Sequence, residues 1–371
     1  MINAPKVQSD GPQTDIFQSV EDFFIHQVLP FWWEHGRCAR TGSWFEGMGF
    51  DGQPLANTGP RGRVWPRQIF AFGMAYRLGL FTDDKELQKL TENTRYLLRT
   101  SRLNDGQFAG ALDATGQPTG EPALLYDLAF YALAGAELAR QGIKEGFELA
   151  ETAFAEIDMR FRDSQSGGYH ADHRNVDAPK LANPHMHLLE ASIAWYEATS
   201  DAGAADRMTE ILSLFRTHFL RDDGHVREAL TADYGPLERG WIEPGHGFEW
   251  AYLYRQAEQC LGNDGTSVSR LIVEASEGTL LNGLAPNRVG EQPSQFRLWP
   301  QLERLRIIHT AFPTQDISPI LKQLDRLYFS HGPAWGWNDE VDQNRQAISQ
   351  YVPASMVYHL VTALGPLFAK R

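Results

Sequence analysis

The sequence predicts an all-α protein, because hydrophobic residues recur at helical spacing along nearly the whole chain. About twelve segments carry apolar residues at positions i, i+3, i+4 and i+7. Strand-like alternation of apolar and polar residues is scarce, and Gly, Pro, Asn and Asp collect between the segments. The predicted helices are residues 14–35, 65–80, 84–102, 122–141, 145–162, 185–200, 203–219, 245–262, 266–282, 298–311, 315–330 and 350–367.

Many of these helices are joined by short connections, which predicts helical hairpins stacked side by side. Six hairpins can close into a ring of inner and outer helices, an (α/α)6 barrel, or stay open as an α-solenoid. A solenoid array should show a recurring sequence period, and this chain shows none. No Pro/Ser-rich linker divides the chain, so we expect a single domain over residues 1–371.

Composition excludes several classes of protein. The chain of 371 residues has a formal net charge of -13 and no block of Lys and Arg, so nucleic acid is not an expected partner. The N-terminus leads into no apolar signal sequence, and no run of about 20 apolar residues could span a membrane. Cys38 and Cys260 form no CxxC pair, which favours free thiols in a cytoplasmic protein.

The segment 183–191, Asn-Pro-His-Met-His-Leu-Leu-Glu-Ala, is the first candidate functional motif. Pro184 predicts a helix start with Asn183 as its N-cap, and His187 shares a helix face with Glu190. His187 can contact a polar substrate, bind a metal or have a structural role. A metal is disfavoured because His185 and His187, two apart, point to different sides of a helix.

The segment 243–250, Glu-Pro-Gly-His-Gly-Phe-Glu-Trp, places His246 in the first turn of a predicted helix. Glu249 is three residues further on and can reach the imidazole. A carboxylate beside a histidine fixes its tautomer and raises its basicity, as a general base requires. A helix-cap histidine with a first-turn glutamate explains the same pattern, and the motif alone leaves both interpretations open.

Three further motifs contain residues suited to a sugar. Trp299 and Glu303 share a helix face and offer a stacking platform beside a hydroxyl acceptor. His359 sits among apolar residues at the start of the last helix, a pattern more typical of a core histidine. Arg67, with Arg61 and Arg63 close by, can donate to a sugar hydroxyl or help to clamp a phosphate. No GxGxxG, P-loop or GxSxG motif is present, which argues against nucleotide or hydrolase-elbow chemistry.

Together and in this order on a twelve-helix pattern, these motifs resemble the N-acylglucosamine 2-epimerase superfamily, which includes mannose isomerases, sulfoquinovose isomerases and cellobiose 2-epimerases. The resemblance extends from about Arg67 to His359. The form Arg-Leu-Trp-Pro-Gln-x-Glu at residues 297–303 is closer to the mannose isomerases. The family resemblance implies a closed (α/α)6 barrel of about twelve helices in six hairpins, with the active site at the bottom of its funnel.

The resemblance also implies roles for individual residues. His246 and His359 are the acid/base pair, and Glu249 is the partner of His246. The remaining matched positions are expected to contact or lie near the sugar: Arg67, Asn183, His187, Trp299, Glu303 and, as a looser match, Arg239.

The expected activity is sugar isomerisation or epimerisation at C1 and C2 through a cis-enediol, with D-mannose to D-fructose as the leading hypothesis. The alternatives are 2-epimerisation of N-acylglucosamine and N-acylmannosamine, or of mannose and glucose. A glycoside hydrolase would use two carboxylates from Glu190, Glu249 and Glu303. A non-catalytic binding protein and a metal-dependent isomerase also stay open. We expect no cofactor and no metal, a small sugar as substrate, no nucleic-acid or membrane partner, and a monomer or homodimer.

Overall fold

The computed structural model describes residues 15–55, 59–81, 84–113, 117–238 and 240–369. The first helix is one continuous rod, α1 (Ile16–Glu21) and α2 (Leu29–His35) joined by the π-helical segment Asp22–Val28. The other helices are α3 (Val64–Arg77), α4 (Asp84–Thr100), α5 (Leu125–Ala139), α6 (Lys144–Arg160), α7 (Ala182–Thr199), α8 (Ala202–Leu214), α9 (Pro244–Cys260), α10 (Thr266–Glu277), α11 (Leu298–Ala311), α12 (Ser318–Leu324) and α13 (Met356–Phe368). The described residues therefore form twelve helical rods, and the predicted helix pattern is confirmed.

Six alternate helices form a closed inner ring. Each of α3, α5, α7, α9 and α11 packs against the next inner helix, and α13 packs back against α3. The remaining rods lie outside the ring, where α4 contacts α6 and α1 contacts α12. The closing contact between α13 and α3 distinguishes this (α/α)6 barrel from an open solenoid.

The inner helix α5 shows why its sequence is hydrophobic all round. It is buried along its whole length except at Tyr126, as a helix enclosed on every side requires. Small residues let its outer partner approach closely: a Cβ on Gly135 would lie 2.4 Å from the backbone nitrogen of Ala150. α5 and α6 therefore pack nearly backbone to backbone, and a larger residue at Gly135 would separate them.

Four short antiparallel strand pairs tie together the connections that precede the inner helices. They are β1 (Gly47–Met48) with β8 (Val352–Pro353), β2 (Ala109–Leu112) with β3 (Pro118–Pro122), β4 (Lys180–Leu181) with β5 (Ala229–Leu230), and β6 (Phe296–Arg297) with β7 (Glu340–Val341). β4, β6 and β8 lie just before α7, α11 and α13. The strands therefore hold the loops at the end of the barrel where the inner helices begin.

The start of two helices differs from the sequence prediction. Asn183 is not an N-cap: α7 begins at Ala182, after Leu181, so Asn183 lies inside the first turn. The last helix begins at Met356 rather than near residue 350, because Val352 and Pro353 pair with the first long loop as β8. Across the ranges that the structure describes, we find no helix with the length and apolar character needed to cross a bilayer.

Candidate active site

The inner helices surround a polar cavity of about 880 Å³ at the end where they begin. Each inner helix contributes side chains from its first or second turn, so the positive ends of six helix dipoles point toward the cavity. The side chains that line the cavity from these helices include Arg67 from α3, Tyr126 from α5, Asn183 and His187 from α7, His246 and Glu249 from α9, Trp299 from α11 and His359 from α13.

His246 is paired with Glu228, and the predicted pairing with Glu249 is wrong. His246 Nδ1 lies 2.8 Å from Glu228 Oε2 and 3.5 Å from Glu243 Oε2. Glu228 directly precedes β5, and its carbonyl accepts from the amide of Ala182 at 3.0 Å, so the β4–β5 pairing fixes its position. Burial alone would lower the pKa of His246, but the Glu228 and Glu243 carboxylates outweigh it and raise the pKa to about 9. These carboxylates therefore favour the protonated ring at neutral pH, although burial also raises the pKa of Glu228 itself.

Asn183 contacts the nitrogen of His246 that faces away from Glu228. Its Nδ2 lies 3.1 Å from His246 Nε2, while its Oδ1 is buried without a partner in the described part of the chain. A protonated Nε2–H needs an acceptor, and the flipped orientation of the amide places Oδ1 there. Asn183 then satisfies both its own oxygen and the charged ring.

His359 has the opposite electrostatic setting. Its Nδ1 lies 2.6 Å from Glu303 Oε1, which fixes the Nδ1–H tautomer and leaves Nε2 as the free base. Burial lowers the pKa of His359, and the cations Arg67 and Arg306 act in the same direction against Glu303. The ring is therefore neutral, and at 7% exposure it reaches the cavity.

The predicted role of Glu303 as an acceptor for sugar hydroxyls is wrong. Its side chain is fully buried, and its second oxygen accepts from Arg306 Nη1 at 3.3 Å. Both oxygens are thus used inside the protein, and Glu303 orients His359. Trp299, one turn earlier, does line the cavity as predicted.

Trp299 lies between the two histidines. Its ring centroid is 4.9 Å from that of His246 and 5.6 Å from that of His359. A Cβ on Gly245 would lie 2.5 Å from the indole, so glycine is needed beside it. The indole face and the two imidazoles together form a platform suited to a sugar ring.

His187 and Arg67 complete the polar wall. His187 Nδ1 donates to Glu190 at 3.1 Å, and burial lowers the pKa of His187 to about 4, so this ring is neutral. Arg67 is 6% exposed, and its Nη2 donates to the Tyr126 hydroxyl at 2.6 Å. Within the described ranges no carboxylate forms an ion pair with Arg67, which leaves a buried positive charge facing the cavity.

The other predicted residues fall outside this set. Arg61 forms an ion pair with Glu46, and Arg63 Nη1 lies 2.9 Å from Asp127 Oδ1, so both rim arginines are neutralised. Arg239 lies outside the described residues.

Three groups of one histidine and two carboxylates place potential ligand atoms within 4.8 Å of one another, which sequence spacing did not indicate. They are His187, Glu190 and Glu249; Glu228, Glu243 and His246; and Glu249, Glu303 and His359. In each group the histidine Nδ1 already lies within 3.1 Å of a carboxylate oxygen. These Nδ1–carboxylate contacts, at 2.6–3.1 Å, are of hydrogen-bond length, and each uses a histidine nitrogen that a metal would otherwise need.

Sequence reasoning missed Glu228 and Arg306. Glu228 lies in the long connection before α9, 18 residues from His246, with no motif around it. Arg306 is three residues beyond Glu303 on α11, so helical spacing from Glu303 could have found it.

The closed barrel, the polar cavity and the two carboxylate-backed histidines define the chain as an (α/α)6-barrel protein with a polar, histidine-lined site. The sequence pattern described as N-acylglucosamine 2-epimerase matches residues 42–363. The chain belongs to this family, and it is a sugar isomerase or epimerase.

Individual relatives agree with this family assignment. A mannose-6-phosphate isomerase of Rhizobium meliloti (strain 1021) is 30% identical over 376 residues, covering 92% of this chain and 93% of the relative. A D-mannose isomerase of Thermobifida fusca is 31% identical over 179 residues, 43% of each chain. The solved cellobiose 2-epimerase of Bacillus thermoamylovorans B4167 shares the fold with a TM-score of 0.84 at 17% identity, covering 95% of this chain and 98% of that one.

Proposed function

We propose that this enzyme interconverts D-mannose and D-fructose, with His359 as the base at carbon and His246 as the acid at oxygen. The single observation that carries the proposal is that one cavity holds two histidines with opposite electrostatic surroundings. His246 Nδ1 faces the carboxylates of Glu228 and Glu243, which raise its pKa against burial. His359 Nδ1 contacts Glu303, but burial together with Arg67 and Arg306 lowers its pKa. Neighbouring groups whose pKa values are driven apart are the usual arrangement of an acid and a base.

The proton transfers balance within this pair. In the open-chain aldose, O1 replaces Asn183 Oδ1 as the acceptor of His246 Nε2–H. His359 Nε2 then removes the proton from C2 while His246 Nε2–H protonates O1, which gives a neutral cis-enediol. His246, now neutral, then takes the proton from the O2 hydroxyl. His359 returns its proton to C1, which gives the ketose and restores both rings to their starting state.

Arg67 supports the charged stage of this reaction. Negative charge develops on O1 as the C2–H bond breaks, and a preorganised cation in a water-poor site stabilises that charge. Arg67 is buried and has no carboxylate partner in the described chain; it donates to Tyr126, and its guanidinium lies 4.0 Å from the Phe130 ring centroid. Its charge is therefore available to the substrate.

The difference in pKa between His246 and His359 favours isomerisation over 2-epimerisation. An epimerase must remove a proton from one face of C2 and deliver one to the other, so it needs a carbon acid or base on each face. A pKa of about 9 keeps His246 protonated at neutral pH, and only His359 is then free to remove a proton from carbon.

The arginines at the rim of the cavity favour an unmodified hexose over a sugar phosphate as substrate. Arg61, Arg63 and Arg297 line the cavity, and each is bonded to a carboxylate: Glu46, Asp127 and Asp339 respectively. A phosphate would have to displace these carboxylates to gain charge-assisted bonds. The second candidate substrate is mannose 6-phosphate, favoured by the name of the Rhizobium meliloti relative.

The test incubates the enzyme in heavy water with mannose, fructose, glucose, N-acetylmannosamine and mannose 6-phosphate, with NMR detection of products. We expect fructose from mannose, labelled with deuterium at C1. Glucose labelled at C2 would indicate epimerisation instead. A strong preference for mannose 6-phosphate, or exclusive turnover of N-acetylated sugars, would contradict the proposal.

We further propose a cytoplasmic location, a monomeric or homodimeric assembly, and activity without cofactor or metal. The free thiols of Cys38 and Cys260 are compatible with a reducing compartment. The acid/base pair needs only the chain's own side chains to move the protons.

A further inference from the structure

The floor of the cavity is a buried cluster of ionisable groups that the proposed proton transfers leave unused. Every member is at most 6% exposed, and the members come from four inner helices, α7, α9, α11 and α13. They are three carboxylates, one guanidinium and one phenol: Glu190, Glu249, Glu303, Arg306 and Tyr358.

Two of the three carboxylates have donors of their own. Glu190 accepts from His187 Nδ1 at 3.1 Å and from the Tyr358 hydroxyl at 2.6 Å, with Arg306 Nη2 at 3.5 Å. Hydrogen bonds to the ionised form outweigh the effect of burial and lower the pKa of Glu190 to about 2. Glu303 accepts from His359 and Arg306, as described above. These two side chains are therefore carboxylate anions.

Glu249 has no such donor in the described part of the chain. The potential donors that contact it are the Tyr358 hydroxyl at 3.4 Å, whose single proton goes to Glu190, and His187 Nε2 at 4.0 Å. Because His187 is neutral and donates from Nδ1, its Nε2 carries no proton and can only accept. If Glu249 were also ionised, the cluster would hold three carboxylates and one guanidinium, and Arg306 already pairs with the other two. The cost of burying this third charge would be high.

Burial and the two neighbouring carboxylates raise the pKa of Glu249 together. Burial raises the pKa of Glu249 first, followed by the negative charges of Glu303 and Glu190. The cations His246 and Arg306 oppose the increase but leave the pKa well above its usual value. The other groups packed against it, Tyr358, His187 and His359, are uncharged at neutral pH.

We propose that Glu249 is a neutral carboxylic acid that donates a hydrogen bond from the cavity floor to the substrate oxygen on which negative charge develops. Glu249 lines the cavity, so its proton can reach a bound sugar. A preorganised neutral donor stabilises an enediolate without adding another buried charge. The identity of this ligand rests on the proposed function, whereas the protonation of Glu249 does not.

Infrared spectroscopy tests the protonation without any turnover. The wild-type enzyme at neutral pH should show the C=O stretch of a protonated carboxylic acid, shifted in heavy water and lost in Glu249→Gln. A matched control is Asp163→Asn, because Asp163 is a buried carboxylate that Lys180 at 2.6 Å keeps ionised. This control should leave the band in place. Absence of the band from the wild type, or its survival in Glu249→Gln, would overturn the proposal.

A pair of variants tests the donor role. Glu249→Gln keeps an N–H donor of similar shape, whereas Glu249→Leu removes it. We expect Glu249→Leu to lower kcat by about 10²–10³-fold, as for the loss of one oxyanion donor, and Glu249→Gln to lose at least about ten-fold less. Equal losses in the two folded variants would mean that Glu249 acts as an anion. If no sugar turns over, the proposed function fails while the infrared result stands.

Discussion

Replacing Glu228 by glutamine should abolish the difference in protonation between the two histidines. Glu228 Oε2 is 2.8 Å from His246 Nδ1 and is the main group that holds the pKa of His246 at about 9 against burial. Relative to the ordinary value of 6.5, that pKa corresponds to about 3 kcal/mol in favour of the protonated ring. Without the carboxylate, burial prevails and the ring titrates at or below the ordinary value.

The sign of the pH dependence follows from these directions. Activity should rise as His359 loses its proton below the ordinary histidine pKa, and should fall as His246 loses its proton near pH 9. In Glu228→Gln the alkaline fall should move to about pH 6.5. The loss of kcat relative to wild type should then be small at about pH 6 and roughly 50–100-fold at about pH 8.5.

The assay is kcat against pH, together with NMR titration of labelled histidine assigned with His246→Gln. Glu243→Gln is the matched control, because it removes a carboxylate 3.5 Å from the same nitrogen and should shift the alkaline fall less. An alkaline limb that stays in place in Glu228→Gln, or moves equally in both variants, would refute the reasoning.

Three further outcomes are expected. Arg67→Met should lower kcat by about 10²–10³-fold without lowering Tm, because it removes a buried charge that has no ion-pair partner in the described chain; a lower Tm with unchanged kcat would contradict this. Gly245→Ala should reduce kcat/KM by about 10–100-fold, because its Cβ would meet the Trp299 ring at 2.5 Å and displace it, and wild-type kinetics would show that the ring can adapt. Excess chelator should leave kcat unchanged, and a loss restored by zinc, manganese or magnesium would reveal a metal requirement.

Helical periodicity was sufficient to predict the helices, whereas the closed barrel was implied by the family resemblance. Each inner and outer rod has enough turns to show an apolar face, so all twelve were found. The strand pairs were not predictable in the same way, since β1, β4 and β6 have two residues each and show no alternation. These strands form because helix packing brings the loops together.

The positions of the site histidines were predicted better than their hydrogen-bond partners. His246 and His359 were singled out by the family resemblance, because the residues alone left His246 open and favoured a core role for His359. Their partners were not predicted correctly, because spacing along a helix reveals only neighbours three or four residues apart. The carboxylates that bind the two Nδ1 atoms lie 18 and 56 residues away in sequence, on Glu228 and Glu303. Only the closed ring brings them together.

Exchange of the mannose C2 hydrogen with heavy water tests the central claim most directly, measured by NMR on folded His359→Gln and His246→Gln. If His359 is the carbon base, His359→Gln should lose C2 exchange by about 10²–10⁴-fold. His246→Gln should be impaired less, because it loses the proton donor to O1 and keeps the base. Wild-type exchange in His359→Gln, above all if His246→Gln also exchanges normally, would show that another group removes the C2 proton.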